Sequence, residues 1–391
     1  MTIRKTTATV ALCGLLATSV TGASPLVPSP QDPPSDPRAQ VAYLVDLSSG
    51  AELVARNPDR RFVPASITKT MTLFVAFELI AEGKLDPKQE FAISDATFRA
   101  WRQKGSTMFI PAGARVPVHD LLLGIANVSA NDGSIVLAEG SAGSVDNWVA
   151  LMNRKARELG MRNSQFGTPN GWADGGRTFT TARDLSLLAR ALIERHGALY
   201  SRYIGHAGFT YNGIAQTNHD PMIGRVAGAD GIKTGHTGEA GYGYLGTAAR
   251  GGRRLAVVVA AAETKGARDT LAQGLVEWGF ATTRTRKLFA AETPVGEAMV
   301  QGGDSLSVPL VTGKLPVVAT LPTTASPDIR LTIHYNGPLR APVEAGEQVA
   351  ELEIAVDGYT PSRVPLFAGQ AVAEARGLDR LRNGVAGLFR W

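Results

Sequence analysis

Arg61-Phe62-Val63-Pro64-Ala65-Ser66-Ile67-Thr68-Lys69-Thr70-Met71-Thr72 is the stretch on which the reading of this chain turns. It leads into an apolar pattern that runs to Ala81, with Met71, Phe74, Phe77 and Leu79 on or near one stripe, the spacing of a helix. Proline followed by Ala-Ser fits a helix that starts at or near Ser66. Ser66 is the one serine in the chain with a lysine three residues on. On a helix, positions i and i+3 share a face, so the Lys69 amine can reach the Ser66 hydroxyl. A serine hydroxyl is a poor nucleophile at neutral pH and needs a base beside it. A lysine serves once burial or a second cation lowers its pKa from ~10.4 toward 7–8. Taken alone, Ser-x-x-Lys is more often a pair of solvated side chains than a catalytic pair.

Two further motifs lie downstream, each occurring once. Ser129-Ala130-Asn131 falls between helical patterns at 118–126 and 135–140, where a loop would aim both side chains into a cleft. Lys233-Thr234-Gly235 follows Ala229-Asp230-Gly231-Ile232 and leads through His236-Thr237-Gly238 into an apolar strand at 242–249. That strand and a second at 255–262 flank Arg250-Gly251-Gly252-Arg253, the pattern of a hairpin. An opening hairpin is expected from Val41-Ala42-Tyr43-Leu44-Val45-Asp46 and Glu52-Leu53-Val54-Ala55-Arg56 around Ser48-Ser49-Gly50. More helical patterns run over 145–159, 182–195 and 266–280. Strands at both ends with helices between predict one sheet assembled from the two chain ends. Past Thr283 the texture changes. Runs at 308–311, 329–335, 349–356 and 362–366 alternate apolar and polar between Gly and Pro turns, which predicts a small all-β domain.

The ordered triple Ser-x-x-Lys, Ser-x-Asn, Lys-Thr-Gly resembles the penicillin-recognising serine enzymes: DD-peptidases, penicillin-binding proteins and class A β-lactamases. Residues 61–72 resemble the nucleophile segment of the low-molecular-mass D-alanyl-D-alanine carboxypeptidases. Residues 230–237 resemble their third motif, where His follows Lys-Thr-Gly. Thr181-Ala182-Arg183-Asp184-Leu185 and Trp278-Gly279-Phe280 resemble further segments of that family. The resemblance covers nearly the whole mature chain, most securely 41–280. The β domain matches by texture and position only.

The resemblance implies an α+β fold: a DD-peptidase/serine β-lactamase-like catalytic domain, its central antiparallel sheet flanked by helices, followed by the all-β domain. It implies removal of the terminal D-alanine from peptidoglycan pentapeptide stems, covalent inhibition by β-lactams, and no cofactor. Ser66 would attack the D-Ala–D-Ala carbonyl and Lys69 would take its proton. Lys233, as a like charge, would push the Lys69 pKa down. Ser129 would relay a proton to the leaving amine, and Asn131 would hold the substrate amide. Backbone N–H groups of Ser66 and His236 would form an oxyanion hole, typically worth about 2.7–4 kcal/mol per donor. Thr234, within Lys233-Thr234-Gly235, would bind the terminal carboxylate. The Lys233 strand would be a sheet edge on which the peptide pairs. Arg268 resembles a family arginine that pairs with that carboxylate, although its spacing from the preceding glycine is one residue longer. A solvated arginine at a helix start is the alternative for Arg268.

Composition bounds the rest. The chain has 391 residues, net charge +5 and 44% hydrophobic residues, enough for a sizeable core. No basic run of five or six residues argues for nucleic acid. Arg4 and Lys5, an uncharged apolar stretch over 6–21, and small residues before Ser24 form the layout of a secretory signal over 1–23. Cleavage after Ala23 would leave 368 residues of net charge +3. The single cysteine, Cys13, lies in that leader, so the mature chain is expected to be disulfide-free and extracytoplasmic. Residues 24–37 read as a Pro/Ser linker, 38–283 as the catalytic domain, 284–368 as the β domain and 369–391 as a basic amphipathic tail. Leu378, Leu381, Val385 and Leu388 with Arg376, Arg380, Arg382 and Arg390 would place that tail on a membrane surface, the alternative being a terminal helix packed on its own domain. The histidines His119, His196, His206, His219 and His334 form no ligand set and read as scattered surface residues, so no catalytic metal is expected. A DD-endopeptidase with the same site is the nearest alternative. A silent peptidoglycan-binding protein would have no use for a lysine-activated serine. A β-lactamase fits less, because no Glu-x-x-x-Asn lies between Ser129 and Lys233.

Overall fold

The computed structural model describes residues 32–376. The expected leader over 1–23, most of the linker and the amphipathic residues of the tail beyond 376 lie outside the described residues. The described chain forms two compact units, 33–48 with 52–281, and 282–376 with 32 and 49–51.

The first unit is built on five antiparallel strands in the order β2-β1-β9-β8-β7. β1 (Ala39–Asp46) and β2 (Glu52–Arg56) come from the beginning of the described chain. Between them and the rest of the sheet the chain runs through a 3₁₀ turn (Ala65–Thr68), α1 (Lys69–Ala81), β3 (Glu90–Ala92), α2 (Asp95–Trp101), β4 (Arg115–Pro117), α3 (Val118–Asn127), α4 (Asn131–Ala142), α5 (Val145–Glu158), α6 (Ala182–Tyr203), β5 (Gly208–Tyr211) and β6 (Ile214–Thr217). It then closes the sheet with β7 (Ala229–Thr237), β8 (Gly241–Arg250) and β9 (Arg253–Ala262), and α7 (Lys265–Thr282) follows. One sheet from two chain ends, as the strand spacing predicts, is what forms.

The central strands are apolar at almost every position because both sheet faces are covered. In β1, Val41, Tyr43 and Val45 pack into the helical layer around α1 and α3, while Ala42 and Leu44 face Leu271, Leu275 and Val276 of α7. In β9, Ala256, Val258 and Ala260 share the first core, and Leu255, Val257 and Val259 the second. The period of two is therefore present but hidden from hydropathy.

Three expectations need correction. The helix after Pro64 does not begin as α-helix at Ser66. Ala65–Thr68 is a 3₁₀ turn, entered through Ala65 at φ 48°, and the α-helix starts at Lys69. In a 3₁₀ turn, positions i and i+3 eclipse, so the change brings Ser66 and Lys69 into register. Leu73, Val75 and Ala76 are buried along with Met71, Phe74 and Phe77, since α1 is covered all round over its first two turns, while Leu79 is half-buried. His196 is not a surface residue. It sits buried at a kink in α6, 2.8 Å from Glu78 Oε1 and edge-on to Phe74 and Phe77.

The second unit is all β. β10 (Thr283–Phe289) pairs with β13 (Val317–Pro322), and a second sheet has the order β14-β16-β17-β12-β11-β15. Its strands are β11 (Pro294–Gln301), β12 (Ser307–Thr312), β14 (Ile329–His334), β15 (Leu339–Arg340), β16 (Gln348–Val356) and β17 (Ser362–Ala368). Here the alternation is visible in sequence: Ala350, Leu352, Ile354 and Val356 of β16 point inward, and the residues between them are more exposed. Among the described residues, no helix is long and apolar enough to cross a membrane.

Candidate active site

Three segments carry the other expected site residues: one adjoins the 3₁₀ turn, one packs against it, and one is felt at Lys69 through the Asp132 charge. The first is α1, which follows directly and carries Lys69. Lys69 Nζ lies 2.9 Å from Ser66 Oγ and 2.7 Å from the carbonyl oxygen of Asn170. Its side chain is fully buried. Burial, and then the neighbouring Lys233 charge, hold the Lys69 ammonium well below the ordinary lysine value, with the Asp132 carboxylate opposing. A neutral amine beside a serine hydroxyl is a base poised to accept its proton.

The second segment is the loop between α3 and α4. Ser129 is buried in a left-handed conformation at φ 62°, which turns the chain sharply between the helices. Asn131 is not in the loop, as its spacing suggested, but is the first residue of α4. Its backbone N–H donates to the Ser106 carbonyl and its side-chain Nδ2 to the Lys104 carbonyl, at 2.8 and 2.9 Å. That leaves Oδ1 as the acceptor available to a ligand. Asp132 follows, almost wholly buried, and its carboxylate accepts from the backbone N–H groups of Met108, Ile110 and Gly133. The strap 102–110 is thus tied to the Ser129 loop through two consecutive side chains.

The third segment is β7, at the edge of the sheet. It pairs with β8 in the register Lys233↔Leu245, Gly235↔Gly243, and no strand pairs on its other side among the described residues. Gly235 backs onto the 3₁₀ turn so closely that a Cβ there would meet the Pro64 carbonyl oxygen at 2.4 Å. Lys233 is buried, its Nζ donating to the Thr234 carbonyl. Burial pushes Lys233 down to about 8, with Arg268 adding to the effect and Asp220 opposing it. Thr234 is half-buried, and the exposed His236 ring stacks on Tyr242, centroids 4.0 Å apart. The reading of Arg268 as a solvated residue is not what forms. It is buried, its Nε 2.7 Å from Asp269, with its charge felt at Lys233.

Three contributors escaped the sequence reading. Asn170 supplies the carbonyl that receives Lys69. Asp132 fixes the strap. Asp220 takes the Tyr244 hydroxyl, which also reaches the Gly231 carbonyl at the start of the Lys233 segment. Of these only Asp132 left a trace: a carboxylate directly after the Ser-x-Asn motif. Among the described residues, no group of three or more His, Cys, Asp or Glu side chains could hold a metal ion.

The family profile described as D-alanyl-D-alanine carboxypeptidase matches residues 28–264, and that of the penicillin-binding protein 5 C-terminal domain matches residues 284–374. The D-alanyl-D-alanine carboxypeptidase DacA of Haemophilus influenzae is 32% identical over 358 residues, covering 90% of each chain. The crystal structure of penicillin-binding protein 5 from the same organism superimposes with a TM-score of 0.74 at 32% identity, over 87% of this chain and 99% of that one. Penicillin-binding protein D2 of Listeria monocytogenes, solved in its ampicillin-bound form, matches with a TM-score of 0.58 at 29% identity, over 64% of this chain and 100% of that one.

Proposed function

The chain belongs to the D-alanyl-D-alanine carboxypeptidase family, and on that premise we propose that Ser66 is its nucleophile, Lys69 its general base and Ser129 its proton relay. The enzyme is a serine-type D-alanyl-D-alanine carboxypeptidase. It acts on peptidoglycan stems and binds β-lactams.

The observation that carries the residue assignment is the pair of contacts made by buried Lys69, to Ser66 Oγ and to the Asn170 carbonyl. The neutral amine accepts the Ser66 proton as Oγ attacks the carbonyl carbon of the D-Ala–D-Ala amide. Negative charge builds on the carbonyl oxygen, facing the backbone N–H groups of Ser66 and His236. The C–N bond breaks, and the proton held on Lys69 passes through Ser129 to the leaving amine of D-alanine. Water then adds to the Ser66 ester, returning the hydroxyl and releasing the shortened stem.

Binding follows from the same neighbours. The stem lies as an added strand along the outer edge of β7. Asn131 Oδ1 accepts from a backbone N–H of the stem. Thr234 hydrogen-bonds the terminal carboxylate, and the Lys233 and Arg268 charges favour it. The chain acts outside the cytoplasm, exported by the leader at 1–23 and held at the membrane surface by the basic tail.

Intact mass after addition of benzylpenicillin tests this reading. One penicilloyl unit per chain is expected, persisting rather than turning over, and absent in Ser66→Ala. No adduct on the wild-type protein would overturn it.

A further inference from the structure

Lys104 is an exposed cation on the strap, and it lies over two aromatic rings at once. Its Nζ is 4.9 Å from the centroid of Trp101 and 4.9 Å from that of Trp172, and the two indoles meet edge to face at 5.6 Å. Both rings are half-buried. Among the described residues, no carboxylate pairs with Lys104. An exposed lysine ordinarily loses entropy on being held in one place. Here two rings hold it by cation–π attraction.

The cluster is joined to the site at both ends. The Lys104 carbonyl receives Asn131 Nδ2, so the backbone carrying the cation is fixed to the side chain that faces the stem. The Trp172 backbone N–H donates to Asn170 Oδ1 at 3.0 Å, and Asn170 is the residue whose carbonyl receives Lys69. Gly105 fills the gap between. It has φ +68°, and a Cβ there would lie 2.8 Å from Asn131 Nδ2 and 3.0 Å from the Trp172 ring. No side chain fits at 105 without moving one of them.

From this juxtaposition we propose that Trp101, Lys104 and Trp172 form a specificity subsite for the stem residue that precedes D-Ala–D-Ala, selecting an aliphatic side chain that ends in a carboxylate. The inference rests on the catalytic reading above, because Asn131 fixes where that residue lies. Two indole faces bury methylene groups, and a cation with no acidic partner in the protein is complementary to an anion at their end. A side chain ending in an ammonium with no carboxylate beside it meets only a like charge there. A neutral sugar uses the rings but leaves the cation unanswered, and so fits less well.

The test compares three pentapeptides, L-Ala-γ-D-Glu-X-D-Ala-D-Ala, with X meso-diaminopimelate, its side-chain carboxamide, or L-lysine. D-alanine release gives kcat/KM for each. The wild-type enzyme is expected to favour the carboxylate over the carboxamide by about tenfold, the size of one charge-assisted hydrogen bond. That ratio is expected to fall toward one in Lys104→Met and to return in Lys104→Arg. A merely structural role for Lys104 moves all three peptides together and leaves the ratio intact, which overturns the proposal. The wild-type ratio is also expected to shrink as salt is raised, a readout that needs no variant. Release at one common rate from all three peptides overturns the subsite alone. No release from any of them overturns the catalytic reading as well.

Discussion

The backbone of Gly171 passes so near Ala65 that a Cβ built on it would lie 1.8 Å from the Ala65 carbonyl oxygen. Gly171 also has φ +75°, a conformation glycine adopts freely and other residues rarely. The Asn170 carbonyl reaches Lys69 only because the chain can pass the 3₁₀ turn at this distance. Gly171→Ala is therefore expected to displace the Asn170 carbonyl and to cost about 1–3 kcal/mol in overpacking and backbone strain. Thermal melting and the rate of acylation by benzylpenicillin check this. An unchanged acylation rate would separate Asn170 from the function of Lys69.

Replacing Lys69 by Met keeps the length and apolar body of the side chain but removes the amine. Acylation is expected to slow by about 10²–10⁴, the usual contribution of a positioned base. Stopped-flow acylation with a chromogenic β-lactam measures it. Near-wild-type acylation would show that another group accepts the Ser66 proton.

The two buried lysines give opposite limbs to the pH profile. As the proposed base, Lys69 would act only when neutral, and its value is depressed, so acylation is expected to fall as pH drops through that value. Lys233 favours a carboxylate only when charged, so kcat/KM for the peptide is expected to fall as pH rises through about 8. Removing the like charge with Lys233→Ala relieves one of the causes depressing Lys69, and the acidic limb is expected to move upward. A peptide profile flat through pH 8 and beyond would dissociate Lys233 from the carboxylate.

Asp132→Asn tests the strap. Burial raises the Asp132 value while three backbone N–H bonds stabilise its charged form. An amide at this position points a donor at one of those N–H groups. A loss of about 1–3 kcal/mol is expected from one unsatisfied buried group. KM for the peptide is expected to rise, because Asn131 hangs from the same strap. Chemical denaturation together with peptide kinetics checks both. Unchanged KM alongside lost stability would mean that Asp132 supports the fold alone.

How much of this was legible depended on how local the contact is. Ser66 and Lys69 are three residues apart, and both an α-turn and a 3₁₀ turn put them on one face. Periodicity could not tell the two turns apart, so the helix start was misread while the pair was not. The outer hairpins were readable because Ser48-Ser49-Gly50 and Arg250-Gly251-Gly252-Arg253 punctuate apolar runs. The edge position of β7 agreed with the reading as well. Asn170 was not legible, since it acts through a backbone carbonyl 101 residues from Lys69, a contact indifferent to residue type. His196 looked polar and was placed outside. The kink in α6 and the Glu78 carboxylate gave it a buried partner that spacing along one helix does not reveal. Thr181-Ala182-Arg183-Asp184-Leu185, noticed as a motif, proves to be a helix start: Thr181 Oγ1 caps α6 by accepting from the Asp184 N–H.

The packing of the Asn170 segment and of β7 on one turn makes the proposed reactivity a report on long-range closure. In the unfolded protein Lys69 is an ordinary, protonated amine and Ser66 an inert alcohol, three residues apart but chemically strangers. On the proposed assignment, the amine becomes a base only once burial is complete and Lys233 has arrived from 164 positions further along the sequence. Such long-range closures are among the slower events in folding. A β-lactam added during refolding therefore labels finished molecules and ignores collapsed ones. The covalent label counts native chains one by one, as a clock started by the last strand to close.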